Sequence, residues 1–266
     1  MEVEIQRSRP AAAGAGAAVG ALGGLIGLGG AEFRLPLLIG VFRFPPLEAV
    51  ILNKAMSLVV VAFALPFRTQ AVPVATVIAN WPVIANLLAG SLLGAWLGAG
   101  WATRLRSDRL HKVIAVLLFV MAVVLWTSHG AAQHHEGWLG HGSLRIFGGV
   151  VAGFGIGVAA SVMGVAGGEL LIPALTLLFG LDLKLAGSLS LAISLPTMLA
   201  AFARYSRDQS FSVLVRHRAF VGLMAVGSIV GAYVGGLLLG VISSAVLLPL
   251  LAAILLLSAV KVWRHA

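Results

Sequence analysis

Residues 27–38 read GLGGAEFRLPLL, and they interrupt an apolar stretch that runs from about Ala11 to Phe42. The same interruption returns 137 residues later as GVAGGELLIPAL at 164–175. Under that shift Gly27, Gly30, Glu32, Pro36 and Leu38 fall on Gly164, Gly167, Glu169, Pro173 and Leu175. Without a gap, the shift also lays AVILNKAMSL (49–58) on AGSLSLAISL (186–195), and GSLLGAWLGA (90–99) on GSIVGAYVGG (227–236). One register held across three blocks marks an internal duplication. A chain duplicated in this way is expected to fold as two like halves, 11–128 and 146–262, joined by a polar, histidine-bearing loop at 129–145.

The medium around those halves follows from composition. Hydrophobic residues make up 60 % of the 266, charged residues only 10 %, and mean hydropathy is +1.04. A soluble domain carries about 25 % charged residues, so this chain lacks the polar surface to dissolve in water. Its apolar segments lie near 11–42, 47–67, 76–100, 111–128, 146–180, 185–203, 218–240 and 244–262. Several reach the roughly 20 residues that span a bilayer. The expected fold is an all-α polytopic membrane protein. The net charge of +9 is carried by residues between apolar segments, where topology accounts for it, so no nucleic-acid partner is expected. A cleaved leader is not expected either, because the first apolar segment takes part in the repeat. The absence of cysteine rules out structural disulfides and thiol chemistry by this chain.

Duplicated transporters are commonly inverted, which requires an odd number of crossings per half. Four apolar regions per half meet that requirement if the interrupted one enters the membrane and returns. Basic residues discriminate between topologies. With re-entrant hairpins and an inside N-terminus, one side collects Arg7, Arg9, Arg43, the basic residues between 104 and 112 and between 204 and 218, Lys261 and Arg264. The other side keeps Arg68, Arg145 and Lys184. If all eight segments cross, the division is far more even. The reading is therefore two inverted repeats, each a broken or re-entrant segment followed by three transmembrane helices, with both termini cytoplasmic. One kinked span per half is the alternative.

Irregular backbone at membrane depth is tolerated only within protein or beside a water-filled cavity. The helix-breaking residues Gly27, Pro36, Gly164 and Pro173 should therefore line an interior site. A helix that restarts after such a break presents free N–H groups and the positive end of its dipole, a recurrent anion site. Gly29, Gly30, Gly167 and Gly168 are the candidate backbone contacts. Arg34 and Lys54, with Asn53 beside the lysine, are costly in lipid and are candidate substrate-binding residues by default. Their counterparts in the second half are Leu171 and Leu191, so the basic charge is one-sided. Ser57 and Ser194 are candidate contacts, with a bond to the i−4 carbonyl as the plainer role. Glu32 and Glu169 occur in both halves and have three readings: capping of the break, ion pairing with Arg34 and Lys54, or proton coupling. Arg34 has a plainer reading too, that of snorkelling to the interface. Gly90, Gly94, Gly98, Gly227, Gly231 and Gly235 form small-xxx-small rows and read as packing residues, as do Trp96 and Tyr233. The central loop holds His129, His134, His135, His141 and Glu136, but at no spacing that fixes metal geometry. No metal, cofactor or catalytic group is expected.

The glycine cluster, short apolar run and proline, duplicated as GLGGAEFRLPLL and GVAGGELLIPAL, resemble the signature of the sulfite exporter TauE/SafE family. The rows GSLLGAWLGA and GSIVGAYVGG resemble that family's glycine-rich helix in each half. The likeness extends from about Ala12 to Val262. It implies a transporter of about eight hydrophobic segments in a bacterial inner membrane, moving a small anion such as sulfite or an organosulfonate, with proton coupling a candidate. Glu32, Glu169 and Arg34 depart from the family's commonest pattern of three glycines followed by an apolar residue. A passive anion channel and a non-transporting membrane assembly partner are the other functions weighed. The oligomeric state stays open, with a homodimer as one candidate.

Overall fold

The computed structural model describes residues 9–26, 30–68, 72–127, 142–237, 253–254, 256–260 and 262–263. Gly27, Gly29, the histidines of the central loop and most of the last apolar segment lie outside the described residues. The described chain is all-helical. In order, the helices are α1 (Arg9–Ile26), α2 (Ala31–Gly40), α3 (Pro46–Arg68), α4 (Val74–Ala79), α5 (Trp81–Ala102) and α6 (Ser107–Thr127). There follow α7 (Ser143–Met163), α8 (Gly168–Phe179), α9 (Leu183–Tyr205), a 3₁₀ turn (Gln209–Ser212), α10 (Val213–Arg216) and α11 (Arg218–Leu237). Within these helices, five stretches are long and apolar enough to cross a membrane: Pro46–Phe63, Trp81–Ala102, Ser143–Met163, Lys184–Tyr205 and Arg218–Gly235. The chain is thus a polytopic α-helical membrane protein.

Helix ends follow local chemistry. Asp182 caps α9, its carboxylate accepting from the amides of Lys184 and Leu185 at 3.0 Å each. The apolar segment expected near 76–100 is divided. α4 ends at Asn80, and α5 restarts with Pro82 in its first turn, where a missing N–H costs nothing. The two principal breaks are made by glycine. Gly30 at φ 72° precedes α2, and Gly167 at φ 82° precedes α8, in a left-handed conformation that side chains with a Cβ resist. Within the restarted helices, Pro36 and Pro173 remove the amides that would donate to the carbonyls of Glu32 and Glu169.

Each break lies against the helix that precedes it. Gly30 abuts Val19, and Gly167 abuts Ile156 and Ala160. Val19 and Ile156 lie about two helical turns before the ends of α1 and α7. The sequence register of 137 carries into the element bounds. Added to the 46 and 68 that limit α3, it gives the 183 and 205 that limit α9.

The most intimate packing is between α1 and α11 and between α5 and α7. It is reciprocal. A Cβ at Gly16 would strike the backbone of Met224, and one at Gly20 that of Ser228. In the other pair, Gly153 meets Leu87 and Gly157 meets Ser91 in the same way. From the facing helices, Gly231 lies on Ala17 and Gly94 lies on Phe154. Each contact in one pair has its partner 137 residues away in the other. Both pairs run parallel, since contact numbers rise together along the two helices. Without a hydrophobic force between helices in lipid, such backbone approach is a main source of association. α9 then packs across α5 and α3, and α2 lies against α3.

These rows give a paired prediction. Gly94→Ala puts a methyl against the carbonyl of Phe154, whereas a Cβ at Gly155 on α7 meets nothing within 4 Å. Gly94→Ala should cost about 1–3 kcal/mol, seen as a lower thermal unfolding midpoint in detergent. Gly155→Ala should not lower the midpoint. Equal midpoints for the two variants would contradict the packing.

Candidate functional site

In an apolar chain, buried polar groups gather where they can satisfy one another. Here they collect where the two breaks meet α3 and α11. Glu32 and Arg34 are wholly buried on α2, Asn53 and Lys54 on α3 are at most 1 % exposed, and Glu169 on α8 is 3 % exposed. Ser57 and Ser228 are buried against Arg34, and Ser194 on α9 is buried as well.

Asn53 and Lys54 hold the breaks. The Asn53 amide nitrogen donates to the carbonyl of Ala31 at 3.0 Å and to that of Met163 at 3.2 Å, one contact at each break. The Lys54 ammonium donates to the carbonyls of Ala160 at 2.9 Å and Val165 at 2.7 Å. Carbonyls at the end of a helix lack intrahelical donors and carry the negative end of its dipole, so a cation there is favourable. Lys54, an expected substrate contact, thus engages the end of α7. Nothing in its sequence neighbourhood signals this, because its partners lie more than a hundred residues away.

Arg34 is placed differently. One terminal nitrogen donates to Asn53 Oδ1 at 3.4 Å and Ser57 Oγ at 3.2 Å. The other donates to Ser228 Oγ at 3.1 Å. The guanidinium therefore joins α2 and α3 of the first half to α11 of the second. Because Asn53 donates with its nitrogen, its oxygen is left to accept from Arg34. Ser228 was legible only as a small residue in a glycine row. Its hydroxyl can accept from arginine and still turn a proton toward a ligand. Ser194, the repeat counterpart of Ser57, has no arginine beside it, since Leu171 replaces Arg34. Its buried hydroxyl has no hydrogen-bond partner among the described residues. Ser91, the counterpart of Ser228, pairs with Thr197 at 2.8 Å.

Glu32 and Glu169 occupy the first turns of α2 and α8, after Gly30 and Gly167, neither of which provides a side-chain cap. The two carboxyls face each other within hydrogen-bonding range. The carboxyls are also near enough to Arg34 and Lys54 to feel their charge. Beyond their own backbone amides, their four oxygens meet no N–H or O–H donor among the described residues. The sequence gives both glutamates the same register but no hint that they meet. Gly30 and Gly168 lie within this junction as backbone, and Gly30 is buried.

Helices long and apolar enough to cross a bilayer, with a cluster of buried charged and polar groups between them, fit a membrane transport protein rather than an enzyme. The family model described as Sulfite exporter TauE/SafE matches residues 6–262, and the chain belongs to that family of anion-related membrane transporters. No curated protein and no solved structure matches it.

The Lys54 contacts predict a structural cost. Lys54→Met keeps the side-chain volume but takes the ammonium from the buried carbonyl of Val165 and leaves that of Ala160 only its bonds from backbone amides, at about 1–3 kcal/mol. Thermal unfolding of the purified variant should show a clear loss. An unchanged midpoint would remove the capping role and return Lys54 to the substrate contacts.

Proposed function

We propose that this chain is a secondary transporter that exports a small anion, sulfite or an organosulfonate, across a bacterial inner membrane with proton coupling. The substrate binds between the two broken segments. Arg34 supplies its charge recognition, and Ser57, Ser228 and Asn53 supply hydrogen bonds. Gly30, Gly167 and Gly168 allow close backbone approach. In this reading residues 11–128 and 146–262 are inverted repeats. Each is a re-entrant hairpin followed by three crossings, linked by 129–145, with both termini in the cytoplasm.

The observation that carries the proposal is the guanidinium of Arg34. It is wholly buried at the seam between the halves and reaches hydroxyls contributed by both. Burying such a charge is expensive, and functional sites are where membrane proteins sustain the expense. A planar fork of donors also suits an oxyanion. The hairpin reading is supported by Gly30 lying back against Val19 and Gly167 against Ile156. The repeat reading is supported by the reciprocal glycine contacts of α1 with α11 and α5 with α7. Family membership supports the substrate class. The asymmetry of charge supports a single site, since Leu171 stands where a second arginine would be.

Binding of sulfite, thiosulfate, sulfoacetate, lactate and phosphate to purified protein at two pH values would test the reading. At least one sulfur oxyanion should bind, and Arg34→Ala should weaken it about tenfold or more. Wild-type affinity in that variant would move the site elsewhere. In liposomes, an imposed proton gradient should build a gradient of the bound anion, which a passive channel cannot do.

A further inference from the structure

Two carboxyl groups held within hydrogen-bonding range cannot both stay ionised at low cost in a dry interior. Glu32 and Glu169 are in that position, at most 3 % exposed, with no N–H or O–H donor besides their own amides. Among the described residues no ion pair reaches either carboxyl. The Lys54 ammonium is engaged with the carbonyls of Ala160 and Val165, and Arg34 with Asn53, Ser57 and Ser228. Arg34 on α2 and Lys54 on α3 are the charged groups that face the pair. The other elements packed on α2 and α8, namely α1, α6, α7 and α9, bring none to it among the described residues. A bridging hydrogen bond between two carboxyls requires one proton.

We propose that Glu32 and Glu169 form a single proton-binding site, in which one proton shared between the two carboxyls closes the junction of the helix breaks. The step is a simple association: two carboxylates and one proton give a hydrogen-bonded pair of charge −1, with no other bond formed or broken. The arithmetic of the centre then changes. Glu32, Glu169, Arg34 and Lys54 sum to zero formal charge when both carboxyls are ionised. They sum to +1 when the pair holds its proton. A monoanion arriving beside Arg34 is thus favoured by the protonated pair, and by linkage anion binding should take up a proton. Only this last consequence rests on the transport reading above. Loss of the proton sets two like charges against each other across the seam, which favours separation of α2 from α8.

The site itself is tested without substrate. Unfolded glutamates release their protons near pH 4.3, so above that range the folded chain holds one more proton than the unfolded chain. Stability therefore falls as pH rises through the release of the shared proton. Thermal midpoints of the purified full chain should drop between pH 6 and pH 9 in wild type. Glu32→Gln and Glu169→Gln should lose most of that slope, because a glutamine amide donates to the remaining carboxylate at any pH. Parallel pH profiles for wild type and both variants would overturn the proposal. So would a wild-type midpoint raised by sodium chloride but not by potassium chloride, which would make the ligand a metal cation. A second arm measures methanesulfonate, whose charge is fixed across this range, by calorimetry at pH 6 and pH 9. Wild-type affinity should weaken at pH 9, up to about tenfold per pH unit of proton release, while Glu32→Gln should lose that dependence. If methanesulfonate and sulfite both fail to bind at either pH, the anion-transport reading fails, and the stability profiles alone decide the proton site.

Discussion

Close backbone contact between two pairs of parallel helices organises everything else in this chain. α1 lies on α11 and α5 on α7 through glycines placed every fourth residue, most of them meeting a backbone carbonyl of the neighbouring helix. A bilayer offers no hydrophobic drive for helices to associate, so contact of this closeness has to come from small residues. Because the pairs exchange members between the halves, neither half can shed its partner without exposing a glycine row. The breaks that follow α1 and α7 are thereby brought to a common junction.

At that junction each polar residue has a distinct task. Asn53 touches both breaks, and Lys54 closes the end of α7. Arg34 reaches across the seam to Ser228. The two glutamates meet at the first turns of α2 and α8, where the helix dipoles favour negative charge. The arrangement is symmetric in architecture and asymmetric in chemistry. Glycines, prolines and glutamates come from both halves, whereas arginine, lysine and asparagine come from one.

Much of the frame was legible in the sequence. The register of 137 residues, read from three short blocks, reappears in the bounds of α3 and α9 and in the paired glycine contacts. Apolar length and low charge gave the membrane class. Other features were not legible, for physical reasons. Asn80 and Pro82 divide an apolar run whose hydropathy is continuous, so the α4–α5 break was read through. The partners of Lys54 are backbone carbonyls, which leave no trace in side-chain pattern. The facing of Glu32 and Glu169 arises from the docking of two halves and has no local signal in either. Ser228 was hidden by its own usefulness as a small packing residue.

Inversion of the halves is the claim on which the transport account turns, and the lack of native cysteine makes it directly measurable. Ala75 on α4 and Ser212 in the 3₁₀ turn occupy equivalent positions in the 137-residue register, and both are exposed. Single cysteines at these positions, Ala75→Cys and Ser212→Cys, can be probed in intact cells with a membrane-impermeant maleimide. The account predicts labelling at position 75 from outside, and at position 212 only after the membrane is permeabilised. Labelling of both from the same side would contradict it.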